Sequence, residues 1–451
     1  MIIQSEKFTE LLTLLQNNDT RALRDRSFGL HPADLGFFLQ QLPIEQAVAF
    51  LAILSPSENA EIFSHLEPEH QLEISAEIAD DRLAKIISKM DADDRVDFIQ
   101  QLSEERSEAL LHRLAQSERE DILKLGSYRE GTAGAVMTSE YATLSPHLTV
   151  RQALDKLRLE APDKETIYYA YVIDGQRRLL GIVSLKSLIL ARPEALIEQI
   201  MHRELVTATV EEDQEEVVRK MAKYDLLAIP VTNGNEALVG IVTFDDAQDV
   251  AEAENTTDFH RMGSVSLMSA NPRDAGVLLL LGKRLPWLLI LVFMNIFSGA
   301  GIAYFEETIA TAVALVFFLP LIIDSGGNAG SQSATLMVRA LAVGDVHGKD
   351  WLRLLGKEVV VALGIGLCMG FAVHFIGLVR GGPEIAVVVS LTMIAVVMVG
   401  SLVGVSLPFL LTRAGLDPAT SSAPLITSIA DIAGVLVYFS IATWYLGLHA
   451  G

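Results

Sequence analysis

Five long apolar stretches occupy the second part of the chain, and no other feature limits its possible folds as strongly. A helix needs about 20 apolar residues to cross a bilayer. Residues 285–305 carry no charge, 309–338 carry only Asp324, and 359–379 are uncharged around His374. Residues 385–412 are uncharged, and 418–448 carry only Asp431. Five membrane spans are therefore expected at about these limits. Their orientation follows from the basic residues. With the first part inside, the inner flanks hold Lys283, Arg284, Arg339, Lys349, Arg353, Lys357 and Arg413, against Arg380 alone outside, beside Glu306, Glu307 and Glu384. Positive flanks stay inside, which places the N-terminus inside and the C-terminus outside.

The acidity lies elsewhere. Residues 273–451 hold 9 Lys+Arg and 10 Asp+Glu of totals of 35 and 57, which leaves a net charge of −21 on residues 1–272. That balance disfavours nucleic acid and anionic membrane surfaces as partners and favours cations. A negative surface also serves solubility alone. The single cysteine, Cys368, excludes an intrachain disulfide and a thiolate zinc cluster. MIIQSEKFTELLTLL lacks a basic start followed by an apolar run, so no signal peptide is expected and the acidic part is expected in the cytoplasm.

Residues 1–130 read as short amphipathic helices with a loose repeat, closed by FLQQL (38–42), IFSHL (62–66) and FIQQL (98–102). An all-α superhelix is expected. From Val136 the pattern changes to β-branched runs, YYAYVID, LLGIVSL, LLAIPVT and ALVGIVTF, each set preceded by a helical stretch. This duplicated α/β unit resembles a tandem of cystathionine-β-synthase (CBS) domains, here 131–200 and 201–247. Such pairs often bind adenine nucleotides through a Thr and an Asp after the last strand. The second copy offers Thr243 and Asp246; the first has Ser184 and Ser187 and lacks the acid. ATP is thus a candidate ligand of the second copy only, with a purely structural pair as the alternative. Residues 248–270 read as a polar connecting helix leading to a membrane domain over 271–451.

An ionised carboxylate at bilayer depth must face protein, water or an ion. Asp431 lies far from both ends of its span, and Asp324 and Asn328 share a helical face. The stretch PLIIDSGGNAGSQS (320–333) carries a proline and several glycines among polar residues. Broken backbone at membrane depth is tolerated beside a watery cavity, so Asp324, Gly326, Gly327 and Asn328 are expected to line a permeation path. Gly326-xxx-Gly330 also matches the small-xxx-small pattern of close helix approach, and Gly366-xxx-Gly370 and Gly400-xxx-Gly404 are expected to serve packing alone. A hydrated Mg²⁺ suits so sparse a set of oxygen ligands. Two copies of Asp431 across a two-fold axis would supply two negative charges to one ion, which points to a homodimer.

The whole chain resembles the bacterial MgtE-type magnesium channel/transporter family. The resemblance rests on HPADL (31–35), DDRVDFIQQL (93–102), GTAGAVMTSEYATL (131–144), the CBS tandem, PLIIDSGGNAGSQS and GLDPATSSAPLITSIADIAGVLVYF (415–439). It implies a multi-domain homodimer in the bacterial inner membrane, with an all-α N domain, an α/β CBS tandem and five membrane helices per chain. It places the pore acid at Asp431 and an acid of the cytoplasmic pore mouth at Asp417. It also implies a cytosolic Mg²⁺ sensor whose acids are Asp93, Asp97, Glu215, Asp225, Asp246, Asp249, Glu254 and Asp258. Thr257 stands where the family often has an acid, and Asp324 where it more often has an uncharged residue.

The leading expectation is a Mg²⁺-selective channel closed by intracellular Mg²⁺. One alternative is a proton-coupled or broad divalent transporter using Asp324 and His374. Another is a membrane-anchored CBS nucleotide sensor without transport, which would have no need of Asp431. No motif in the chain suggests catalysis.

Overall fold

Short helices with proline starts build the first part. The computed structural model describes residues 2–17, 19–268 and 275–447, which form two units, Met1–Ala251 and Glu252–Gly451. The expected junction near residue 270 and the end of the last span at Leu448 lie outside the described residues. Ten helices run from α1 (Ile2–Gln16) to α10 (Gln116–Leu125). Among them α3 (Pro32–Leu39), α5 (Pro56–Ser64) and α6 (Pro68–Glu77) begin on proline, where the missing N–H would have no helical partner anyway. Short helices leave a large share of their carbonyls unpaired at the C-terminal ends. A recurring bond satisfies some of them: a buried polar side chain donates to the carbonyl eight residues earlier. Asn59 donates to Leu51 at 3.0 Å, Gln71 to Phe63 at 2.8 Å, and Arg95, on α8 (Ala92–Gln101), to Ile87 at 3.0 Å. The phenylalanines of the three repeated closing motifs, Phe38, Phe63 and Phe98, are all buried.

The duplicated α/β units follow. The first comprises β1 (Tyr141–Leu144), α11 (Val150–Glu160), β2 (Thr166–Ile173), β3 (Leu179–Ser184) and α12 (Leu185–Leu190). After α13 (Ile197–Ile200), the second comprises β4 (Ala208–Thr209), α14 (Gln214–Tyr224), β5 (Ala228–Thr232), β6 (Leu238–Thr243) and α15 (Phe244–Met262). In both, the first two strands are parallel and the last two antiparallel. Each copy's lead-in pairs with the other copy's last strand: Thr138 with Ile241 of β6, and His202 with Ile182 of β3. The glycine of each GIV motif makes room for that crossing. A Cβ on Gly240 would meet Met137 Sδ at 2.4 Å, and one on Gly181 would meet Met201 Sδ at 2.8 Å. The repeat in sequence is thus a pair interlocked by exchange.

The second unit holds α16 (Val277–Tyr304), the short α17 (Glu306–Thr311), α18 (Ala314–Ala342), α19 (Trp351–Arg413) and α20 (Ala423–Leu446). Among the described residues four helical stretches are long and apolar enough to cross a membrane. The third is two arms in one. Gly382, with φ 81° and ψ 179°, breaks α19. Gly377 then packs on Ala386, Gly370 on Ser390 and Gly366 on Ile394, the pairing of an antiparallel hairpin. Five apolar helical arms result.

Two expectations change here. The helix expected from residue 309 is interrupted at Ala312, whose backbone leaves the helical region at φ −130° and ψ 67°. The stretch 320–333 is not broken; α18 runs through it unbroken from Ala314 to Ala342. Its glycines serve contact. Gly326 and Gly330 meet Gly400 and Gly404 so closely that a Cβ on either of the latter would stand 2.1 Å from the facing carbonyl oxygen.

Candidate functional site

Helix α8 lays a row of acids over the end of β6. Asp91 precedes it, and Asp93, Asp94 and Asp97 lie on it. Beneath them Thr243 Oγ1 donates to Asp246 Oδ2 at 2.5 Å. Carboxylate oxygens of Glu165, Asp245 and Asp246 lie within 4.8 Å of one another, a spacing one metal ion can bridge. Asp93 faces Asp246, and its Oδ1 is closed from solvent with no hydrogen-bond partner among the described residues. The one buried cation here is Arg95, which donates to the Met90 carbonyl at 2.6 Å and to Glu140 Oε1 at 3.2 Å. It fixes α8 to the first CBS copy and draws on Asp91, while hydrogen bonds from Ser64 to Asp94 and from Thr138 and Thr243 to Glu165 offset only part of the crowding of negative charge.

Burial, and then the charges of Asp246, Asp94 and Glu165, drive the Asp93 carboxyl well above the ordinary range. Burial first, with neighbouring acids behind it, raises Asp94 and Asp97 to about 6 and Glu165 to about 8. Asp246 is raised by burial and by Asp245, against the opposing pull of Thr243. Oxygen donors only, an orphaned carboxylate oxygen and an excess of negative charge together fit a hard divalent cation such as Mg²⁺.

Of the expected sensor acids, the structure brings Asp93, Asp97 and Asp246 together. Glu215 is engaged elsewhere, paired with Arg219 at 2.7 Å, and Asp225 caps α14 in a left-handed conformation. Asp249 follows along α15, while Glu254 and Asp258 belong to its portion in the second unit. Reading the sequence missed Asp91, Asp94, Glu165 and Asp245. Arg95, a lone cation inside the acidic run DADDRVD, was the available signal.

The expected nucleotide pair, Thr243 and Asp246, is bonded internally and lies beneath α8. A pocket of about 570 Å³ opens instead beside the first copy, lined by Tyr168, Tyr169, Ser184, Lys186, Leu190 and Leu227 among others.

In the second unit, Asp431 sits half-buried on α20 and interacts electrostatically with Asp324 of α18. No hydrogen bond or ion pair to Asp431 occurs among the described residues. Asp324 and Asn328 lie on the exposed face of α18, with Asn328 Nδ2 donating to Asp324 Oδ2 at 2.9 Å. Gly326 and Gly327, expected to line a path, are instead buried against α19 and α20, because the seam needs residues without side chains. Asp417 opens the turn before α20, accepting from the Ala419 N–H at 2.7 Å and pairing with Arg261. His374 lies 3.2 Å from Ser390 Oγ between the arms of α19.

Comparison with known proteins matches three family descriptions. These are MgtE intracellular N domain over residues 30–131, CBS domain over 133–194 and 197–251, and divalent cation transporter over 319–441. The magnesium transporter MgtE of Thermus thermophilus is 39% identical over 433 residues, covering 95% of this chain and 96% of that protein. The magnesium transporter MgtE of Enterococcus faecalis is 38% identical, covering 98% and 97%. Among solved structures, the cytosolic domain of the Mg²⁺ channel MgtE in complex with ATP is 39% identical with a TM-score of 0.52. It covers 54% of this chain and 99% of that one. The soluble part of a magnesium transporter matches with a TM-score of 0.54 at 34% identity, covering 56% and 99%.

Proposed function

The chain belongs to the MgtE family of magnesium transporters and is a multi-pass membrane protein of Mg²⁺ transport, and we propose that it is a homodimeric channel closed by intracellular Mg²⁺. Asp431 carries this reading. A carboxylate inside the membrane part, with no salt-bridge partner among the described residues and a second acid acting on it, calls for a cation. Two copies about a two-fold axis double that charge. The path then runs past Asp431 and Asp324 and meets Asp417 at the cytoplasmic mouth, with the N-terminus inside and the C-terminus outside. The N domain (1–130), the CBS copies (131–200, 201–247) and the connecting segment expected over 248–270, whose helix α15 ends at Met262, form the sensor. Mg²⁺ bridges Asp93, Asp97 and Asp246 in it, together with Glu165 and Asp245. The protein is a transporter without a catalytic role.

Asp431→Ala should abolish Mg²⁺ flux into proteoliposomes while the protein still folds, since removing an unpaired carboxylate relieves desolvation. Wild-type flux in that variant would sink the pore assignment. The interaction between Asp324 and Asp431 supports one second reading, proton-coupled or broader divalent transport through Asp324 and His374. Asp324→Ala with unchanged flux and pH dependence would remove it.

A relative's cytosolic domain in complex with ATP supports nucleotide binding here as well. ATP should then raise the thermal midpoint at fixed free Mg²⁺. Loss of the shift in Asp246→Ala would assign the site to the second copy, and loss in Lys186→Ala to the pocket beside the first. No shift at millimolar ATP would leave the CBS pair structural.

A further inference from the structure

The acid proposed for the pore mouth already holds a cation that belongs to the chain. Arg261, in the last turn of α15, pairs with Asp417 Oδ2, while Asp417 Oδ1 accepts from the Ala419 N–H at 2.7 Å. Two further bonds follow along the same strip. Ser264 Oγ donates to Ser422 Oγ at 2.6 Å, and Ser422 caps the N-terminus of α20, the helix of Asp431. The Ser266 N–H donates to the Lys283 carbonyl of α16 at 3.1 Å. The end of α15 is thereby tied to the turn that launches α20 and to the first membrane helix.

We propose that Arg261 is a tethered cation that occupies Asp417 in place of Mg²⁺ and latches the end of α15 to the pore mouth. This rests on the reading of Asp417 as part of the ion path. A guanidinium stays charged at any physiological pH, so the latch needs no ion from solution. Tethering gives Arg261 a high effective concentration at Asp417, which an incoming Mg²⁺ must overcome. The ion pair is partly exposed, at 38% and 31% for the two side chains, so it is weak enough to open. Its place at the C-terminal end of α15 also suits a basic residue. With the latch made, Asp417 presents little net charge to a dication; with it open, the carboxylate is free and α15 is released from α20.

Two measurements on the full-length protein in proteoliposomes test this. In Arg261→Gln, closure by internal Mg²⁺ should need roughly two- to five-fold more Mg²⁺, the change a partly exposed ion pair supports, and Arg261→Lys should restore most of it. In a Cys368→Ser background, Ser264→Cys with Ser422→Cys places two thiols where two oxygens now touch. Oxidation should hold flux low without Mg²⁺, and a reductant should restore it. Closure of Arg261→Gln at the wild-type concentration, or full flux through the cross-linked protein, overturns the latch alone. A wild-type protein whose flux ignores internal Mg²⁺ overturns the gating reading and the latch with it.

Discussion

Desolvation and mutual repulsion hold the carboxyls of Asp93, Asp94, Asp97, Glu165 and Asp246 above their ordinary range. The folded chain therefore keeps protons that the unfolded chain releases. This stabilisation is complete below the ordinary values of 3.8 and 4.5 and is lost as pH rises through about 6 for Asp94 and Asp97 and about 8 for Glu165. In a chelator, the thermal midpoint of the acidic part should fall between about pH 5 and pH 8.5, because proton binding and folding are linked. Millimolar Mg²⁺ should reverse the fall at the upper end and do little at the lower end, where protons already hold the acids. Scanning fluorimetry across that range checks it, and a midpoint indifferent to both pH and Mg²⁺ would show that these acids share no site. Asp93, Asp97 and Asp246 could be named from the resemblance carried by DDRVDFIQQL and GIVTFDD. Glu165 could not, because it stands just before β2 in the unremarkable DKETIYY and reaches Asp246 only after the two CBS copies interlock.

Among the elements, α18 and α19 show both the reach and the limit of the sequence. Hydropathy marks the five apolar arms, and the Gly381–Gly382–Pro383 step marks the turn within α19. Glycine-rich 320–333 reads as broken because glycine weakens helices in water. In lipid an unpaired backbone group costs more than a glycine does, so the helix continues and uses its glycines for close approach. The side-chain-free seam then predicts its own sensitivity. Gly400→Ala or Gly404→Ala sets a Cβ 2.1 Å from a carbonyl oxygen and must push the helices apart. A cost of about 1–3 kcal/mol is expected, as for an overpacked core. Gly364→Ala, with nothing within 4 Å of the added carbon, should be neutral. Thermal unfolding in detergent followed by size exclusion compares them. Equal midpoints for all three would mean that the seam does not hold α18 against α19.

The division of charge, −21 on residues 1–272 and near neutrality beyond, makes the whole molecule an acidic body joined to an apolar one. Within the acidic body, α8 can stay against the CBS copies only if its carboxylates are protonated, paired as Arg95 pairs Glu140, or bridged by cations. Two like charges about 4 Å apart repel by roughly 4 kcal/mol at an effective dielectric of 20, before salt screening. Mg²⁺ exchanges that repulsion for shared coordination, so the compact arrangement gains population by its higher affinity for the ion. Neutralising Asp93 and Asp97 together removes part of the repulsion and part of the ligand set. The loss of ligands governs the Mg²⁺ response, because coordination is what distinguishes the ion-bound state. Asp93→Asn with Asp97→Asn should therefore leave conduction intact and move closure to higher internal Mg²⁺. Protection of the acidic part from protease should move to higher Mg²⁺ in parallel. Closure and protection at the wild-type concentration in the double variant would show that Mg²⁺ is sensed by other residues.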